Sequence, residues 1–220
     1  MGALLEVIVE NAADATAAQE GGADRLELVR DRASDGRTPE PAVVREVLAA
    51  TDLPVRVMVR GEGYTAGDVE ALRREAVAVR EAGAAEFVLG FLDGTGQVDV
   101  GTTRNLADEL AGCPWTFHRA VDHALQYQLA WDHAVSLGPD AVLTAGSAEG
   151  VEEGLGTLRV LADQQDVEGV TLLVGGGLRP DHVDELLGMG VRAFHVGRAA
   201  LDGAAVDAGR VREWRRRVDA

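Results

Sequence analysis

The chain has 220 residues, 46% hydrophobic and 26% charged, which suits one globular domain with a full core. Its formal net charge of -16 argues against nucleic acid and anionic membranes as partners. All 21 basic residues are arginine, which excludes Schiff-base lysine chemistry and leaves arginine as the only permanent cation for an anionic ligand.

Leu4–Val9 is an apolar run of strand length. Asn11 then caps an alanine-rich helix with Asp14 in its first turn and Gly21-Gly22 as its stop. Residues 25–29 form the next strand, and a loop from 30 to 39 leads to a helix over 41–50. A third strand covers 54–59, and residues 66–81 form a long helix with apolar Val69, Leu72, Ala76 and Val79 at helical spacing. A strand over 86–89, a helix over 100–110, a strand over 114–118 and a helix over 125–137 follow. Then come a strand over 141–144, a helix over 151–162, a strand over 170–174, a short helix over 181–187, an eighth strand over 192–196 and a last helix over 206–218.

Strict alternation means parallel strands joined by right-handed crossovers. Eight units in one domain over residues 1–220 predict an α/β protein of the closed (β/α)8 barrel type, at the compact end of its size range. An internal repeat supports closure. Gly22, Gly83, Gly138 and Gly190 each stand between a helix and an even-numbered strand, one for each βαβα quarter. Each is expected to stop its helix in a left-handed turn. Cys113 is the only cysteine, so no intrachain disulfide or thiolate cluster can form, and its place before a strand predicts a small buried residue. The chain opens without a cationic segment and apolar run, and no stretch reaches the roughly 18 apolar residues of a membrane span. A cytoplasmic protein is expected.

Side chains in a parallel barrel alternate between the interior and the helix layer. Parity assigns Glu6, Glu27, Arg60, Thr116, His118, Thr144 and His195 to the interior, several of them at carboxyl ends of strands, where barrel active sites lie. Acids and arginines in one dry cavity must pair, so Glu27 is expected to face Arg60 or a neighbouring arginine. His118 and Glu27 are the candidates to move a proton, with Arg60 and Arg119 beside them as catalytic candidates. Gly175-Gly176-Gly177 follows the seventh strand and Gly197-Arg198 the eighth, the recurrent phosphate position of such barrels. Thr144, His195 and Glu6 complete the candidate ligand-binding set. Two histidines without a nearby third ligand predict no metal site, and His123, His133 and His182 read as surface residues. The arginines of the last helix suit its C-terminus and offer a face to an acidic surface, such as a second copy in a homodimer.

Several segments together resemble the CutC family, proteins named for copper homeostasis. They are Leu5-Glu6-Val7, the run from Gly21 to Leu28, Gly36-Arg37-Thr38-Pro39, Val57-Met58-Val59-Arg60, Thr116-Phe117-His118-Arg119-Ala120, Leu143-Thr144-Ala145-Gly146 and Gly175-Gly176-Gly177. The resemblance implies a TIM barrel and, through the family's name, copper. The chain departs from the family pattern at three places. Val29 stands where a cysteine is usual, Gly61-Glu62 where proline and a second arginine are usual, and Gly197-Arg198 in the last strand's His-x-Ser-Ala motif. Soft Cu(I) takes cysteine or methionine, and only Cys113, Met1, Met58 and Met189 are available.

These readings converge on a barrel whose mouth binds a small anionic metabolite, phosphorylated or carboxylated. Acid–base catalysis, copper binding or trafficking without catalysis, and metabolite binding without catalysis remain three distinct expectations.

Overall fold

Branched and aromatic runs such as Leu4–Val9 and Glu86–Leu89 favour the pleated backbone, and the structure places both in one closed sheet. The computed structural model describes residues 2–110 and 112–220, apart from the side chains of residues 166–168. Met1 lies outside the described residues. The elements run β1 (Leu4–Val9), α1 (Ala12–Gly21), β2 (Arg25–Leu28), α2 (Pro41–Ala50), β3 (Val55–Met58), α3 (Val69–Glu81), β4 (Glu86–Leu89) and α4 (Val100–Glu109). They continue with β5 (Trp115–Phe117), α5 (Tyr127–Ser136), β6 (Ala141–Thr144), α6 (Val151–Glu168), β7 (Thr171–Val174), α7 (Pro180–Gly188) and β8 (Ala193–Val196). A short hairpin, β9 (Leu201–Asp202) and β10 (Ala205–Val206), precedes α8 (Ala208–Val218).

Strands β1 to β8 pair in parallel in sequence order. Pairing of Leu4 with Ala193 and of Glu6 with His195 closes β8 onto β1. The (β/α)8 architecture expected from alternation is therefore the observed one. Gly22, Gly83, Gly138 and Gly190 have φ of 91°, 111°, 77° and 94°, as the fourfold repeat required.

Four helix boundaries differ by two residues or more from the sequence reading. Helix α3 begins at Val69, not at residue 66, because Asp68 caps it by accepting from Ala71 N. Helix α6 runs on past residue 162, because nothing between there and Gly169, at φ +67°, stops it. Helix α5 begins later, because residues 119–123 wind into a 3-10 turn after β5. Helix α8 begins at Ala208, because Val206 is held in the β9–β10 hairpin and Asp207 caps the helix by accepting from Arg210 N.

The core lies between sheet and helices. Leu5, Val7, Leu26, Leu28, Val57, Phe87, Phe117, Leu172 and Phe194 are buried there on the outward face of the strands. The barrel interior is of mixed polarity. One apolar patch holds Leu4, Ala141, Leu143, Leu173 and Ala193; a second holds Ile8, Val29, Met58 and Val88. Polar groups fill other inward positions. Arg56 donates to Glu86, Thr116 and Asp140, the last two contacts being very short. No described helix is long and apolar enough to cross a membrane. The arginines of α8 are engaged within the chain: Arg210 with Asp202, Arg215 with Asp24 and Asp219, and Arg217 with Asp184.

Candidate functional site at the barrel mouth

The ends of β2, β3, β5, β7 and β8 deliver polar side chains to a cavity of about 480 Å³, to which β1 adds Ile8. Glu27, Arg60, His118, Arg119, Gly176, Gly177, His195, Gly197 and Arg198 line it, so most of the expected site residues meet there. The loop after β2 contributes Arg32, Ala33, Asp35 and Gly36 to its wall.

Beneath the cavity a buried ionic cluster spans β8, β1 and β2. Arg25 Nε donates to Glu6 Oε2 at 2.5 Å, and His195 Nδ1 lies 2.7 Å from Glu6 Oε1. His195 Nε2 is 3.7 Å from Glu27 Oε2, while Glu27 Oε1 is buried with no hydrogen-bond partner. Burial alone would raise the Glu6 pKa, but the Arg25 guanidinium and the His195 hydrogen bond outweigh it and hold Glu6 at about 2. Glu27 has weaker compensation, so burial, with the Glu6 charge adding to it, pushes Glu27 up to about 7. Burial also opposes charge on His195, yet the carboxylates of Glu27 and Glu6 raise its affinity for a proton above the ordinary value. Glu27 and His195, both shifted toward the protonated form and 3.7 Å apart, thus compete for a proton.

Arg60 does not pair with Glu27 as expected. Its guanidinium donates to the backbone carbonyls of Gly63, Asp35 and Gly36, and it sits 4.5 Å from the centre of the Tyr64 ring. The loop carbonyls reach it first because Asp35 and Gly36 take left-handed conformations that fold the loop over the strand end. Burial lowers the Arg60 pKa, while Tyr64, Asp35 and Glu27 oppose the shift.

His118 follows β5 and caps the 3-10 turn, with its Nδ1 accepting from Ala120 N at 3.1 Å. That bond fixes the proton of the neutral ring on Nε2, which is buried without a partner. Burial, reinforced by Arg60, holds the His118 pKa well below the ordinary value. At neutral pH His118 is therefore an Nε2–H donor. As a candidate to move a proton, His118 is thus placed to donate from Nε2, because its one lone pair, on Nδ1, already accepts from Ala120 N.

Arg119 donates to Asp122 at 2.7 Å, and Asp122 also accepts from Thr144 Oγ1 and Ala145 N. Asp122, missed in the sequence, is the buried hub that orients Arg119; burial raises its pKa against the pull of Arg119. Its signal was an acid three residues after the arginine. Thr144 is corrected. It faces the helix layer, where its hydroxyl joins Tyr127, Asp122 and Gly146 N, whereas Leu143 points into the barrel.

The two glycine segments split in role. Gly176 and Gly177, at φ +95° and +74°, line the cavity, and among the described residues the amides of Gly176, Gly177, Leu178 and Gly197 have no backbone acceptor. Gly175 is corrected: it lies off the cavity, donates to Thr144 O and packs under His195, whose Cβ would sit 2.8 Å from an added methyl. Arg198 is exposed at the rim without a described hydrogen bond or ion pair, whereas Arg32, Arg119 and Arg179 on the same wall are all paired with acids.

Other positions depart from expectation. His182 is buried rather than on the surface; its ring accepts from Arg179 N and meets Glu152 at 2.9 Å, bracing α7 against α6. Cys113 is half-buried. His123 stays exposed but stacks on Tyr64 with ring centres 4.2 Å apart.

Comparison with known proteins agrees with the fold. The model of the CutC family matches residues 3–200. A family protein CutC of Caulobacter vibrioides is 36% identical over 197 residues, covering 87% of this chain and 80% of the relative. One from Enterobacter sp. (strain 638) is 32% identical over 197 residues, covering 88% and 79%. A crystal structure described as a candidate copper homeostasis protein CutC from Streptococcus agalactiae superposes with a TM-score of 0.79 at 26% identity, covering 89% of this chain and 98% of that one. This chain belongs to the CutC family.

Proposed function

We propose that the barrel mouth binds a small anionic metabolite, phosphorylated or carboxylated, and that the protein works on it in the cytoplasm. One observation carries the reading. The unbonded amides after β7 and β8, the unpaired Arg198 and the lone Nε2–H of His118 all belong to one cavity. Donors without acceptors are costly where water is scarce, and an anion satisfies them together. Arg119 and Arg60 add positive potential on the same wall while their own acceptors hold them in place.

Copper, which the description of the streptococcal relative mentions, fits these residues poorly. Val29 and Met58 share the second interior patch, so the position where the family carries its cysteine faces the cavity, but here it has no thiol. Cys113 stands before β5, at the opposite end of the barrel, and Met189 ends α7. Among the described residues, a Cu(I) site of soft donors at the mouth has one member, Met58, and no second.

Thermal denaturation with phosphate, sulfate or chloride at constant ionic strength tests the proposal. Phosphate and sulfate are expected to raise the melting temperature by a few degrees: saturation at 100 times Kd stabilises by about 2.7 kcal/mol. Chloride should not. Arg198→Ala should remove half or more of the shift. Gly176→Val is a poor probe, because its Cβ would meet the Arg119 guanidinium at 2.5 Å and the residue has φ +95°. Equal melting temperatures in all three salts would defeat the reading.

A further inference from the structure

Glu27 and His195 are held in an arrangement that their own contacts leave incomplete. An ionised Glu27 beside a protonated His195 would be expected to close to an ordinary hydrogen bond. Instead Oε2 and Nε2 stand 3.7 Å apart, and Oε1 is buried without a partner. The gap has the dimensions of a shared ion. Imidazole and carboxylate ligands each lie about 2.0–2.2 Å from a bound zinc, and two such bonds span this separation at an angle somewhat wider than tetrahedral.

The groups behind the pair are arranged to support coordination. Glu6 receives His195 Nδ1 at 2.7 Å, which keeps that proton on Nδ1 and turns the lone pair of Nε2 toward Glu27. A carboxylate behind a ligating imidazole is the usual support of such a ligand. Arg25, bonded to Glu6 at 2.5 Å, offsets the Glu6 charge and leaves Glu27 as the net anion. Ligand atoms of Glu6, Glu27 and His195 all fall within 4.8 Å of one another. Glu27 and His195 also line the cavity, so the remaining coordination positions open onto it.

We propose that His195 Nε2 and Glu27 bind a divalent cation that takes nitrogen and oxygen ligands, with Glu6 as the orienting carboxylate and the open positions left to water or a ligand in the cavity. The donors are imidazole and carboxylate, so the site suits zinc, cobalt or manganese and differs in kind from a thiolate site for Cu(I). The bound dication would leave the pair with a net positive charge facing the cavity, which favours an anionic occupant. The cation site stands independently of the anion proposal.

Tag-free protein, stripped with a chelator, is titrated with Zn²⁺ by calorimetry. Cobalt binding is followed by visible absorption. The expected result is one ion per chain. His195→Gln should weaken binding at least 100-fold, and Glu6→Gln by about 10–100-fold through loss of orientation. The salt series is run on the metal-free protein as well, so absence of the phosphate shift alone, with metal binding intact, would sink only the anion reading. Circular dichroism checks each variant. If His195→Gln does not fold, the wild-type stoichiometry and cobalt spectrum decide. No 1:1 binding by wild type, a complex without imidazole-type cobalt absorption, or an affinity unchanged in folded His195→Gln would overturn the proposal.

Discussion

At the scale of single residues, Glu27 shows how burial without a full partner becomes a dependence on pH. Its pKa in the folded chain, about 7, lies above the ordinary 4.5. The folded state therefore holds this proton more tightly than the unfolded one, and the associated stability is complete below about pH 4.5 and lost as pH rises through 7. His195, also raised, acts in the same direction. His118, lowered, acts oppositely, so the overall curve of the wild type mixes the signs. Comparison with Glu27→Gln isolates the contribution of the pair, since the amide cannot ionise and the pull of Glu27 on His195 goes with it. With chelator present, the wild type should lose stability relative to Glu27→Gln between pH 5 and pH 8. Melting temperatures of both proteins at the two pH values measure this, and a constant gap would mean that Glu27 titrates like a solvated acid. The sequence allowed Glu27 and His195 to be placed at the mouth by strand parity. It did not reveal that Arg60 would turn away from Glu27, because that depends on Asp35 and Gly36 folding their carbonyls over the strand end.

At the scale of elements, the strands and their order were legible because period-two runs, helix caps and turn glycines all point the same way. What escaped was decided by packing. Strand β6 has four buried residues in a row, so its polarity pattern gives no inward face, and Thr144 was assigned to the wrong one. Arg25 and Arg56, buried partners of Glu6 and of the Glu86–Asp140 pair, sit early in their strands, away from the carboxyl ends where a site was expected. Helix α6 offers a sharp test of this kind of packing. Gly154 faces the loop after β6, where an added Cβ would lie 1.9 Å from the carbonyl oxygen of Ala145; Gly156, two residues on, is exposed and has nothing near it. Gly154→Ala must push the helix off the barrel and should cost about 3 kcal/mol or more. Gly156→Ala should stabilise by roughly 0.5–1 kcal/mol through helix propensity. Chemical denaturation of the two variants separates the effects. Equal changes would show that α6 is free to shift.

At the scale of the whole molecule, the balance of 37 acids against 21 arginines sets a field that every local site must work within. Net charge of this size repels itself and disfavours the compact state. At about 10 mM salt the screening length is roughly 30 Å, comparable to the barrel itself; at 150 mM it is about 8 Å. Salt also weakens the exposed pairs, such as Arg159 with Glu185 and Arg210 with Asp202, but exposed pairs contribute little to begin with. The buried links, Arg25 with Glu6 and Arg119 with Asp122, are shielded from added ions. Relief of the net repulsion should therefore exceed the loss of surface attraction, and sodium chloride raised from 10 to 150 mM should increase the melting temperature. A gain of about 1 kcal/mol corresponds to about 2–4 °C for a domain of this size. A melting temperature that falls over this range would mean that local arginine–carboxylate pairing outweighs the net charge. The same field opposes any anion approaching the mouth, so a phosphate shift at fixed ionic strength would have to come from the donors after β7 and β8 and from Arg198.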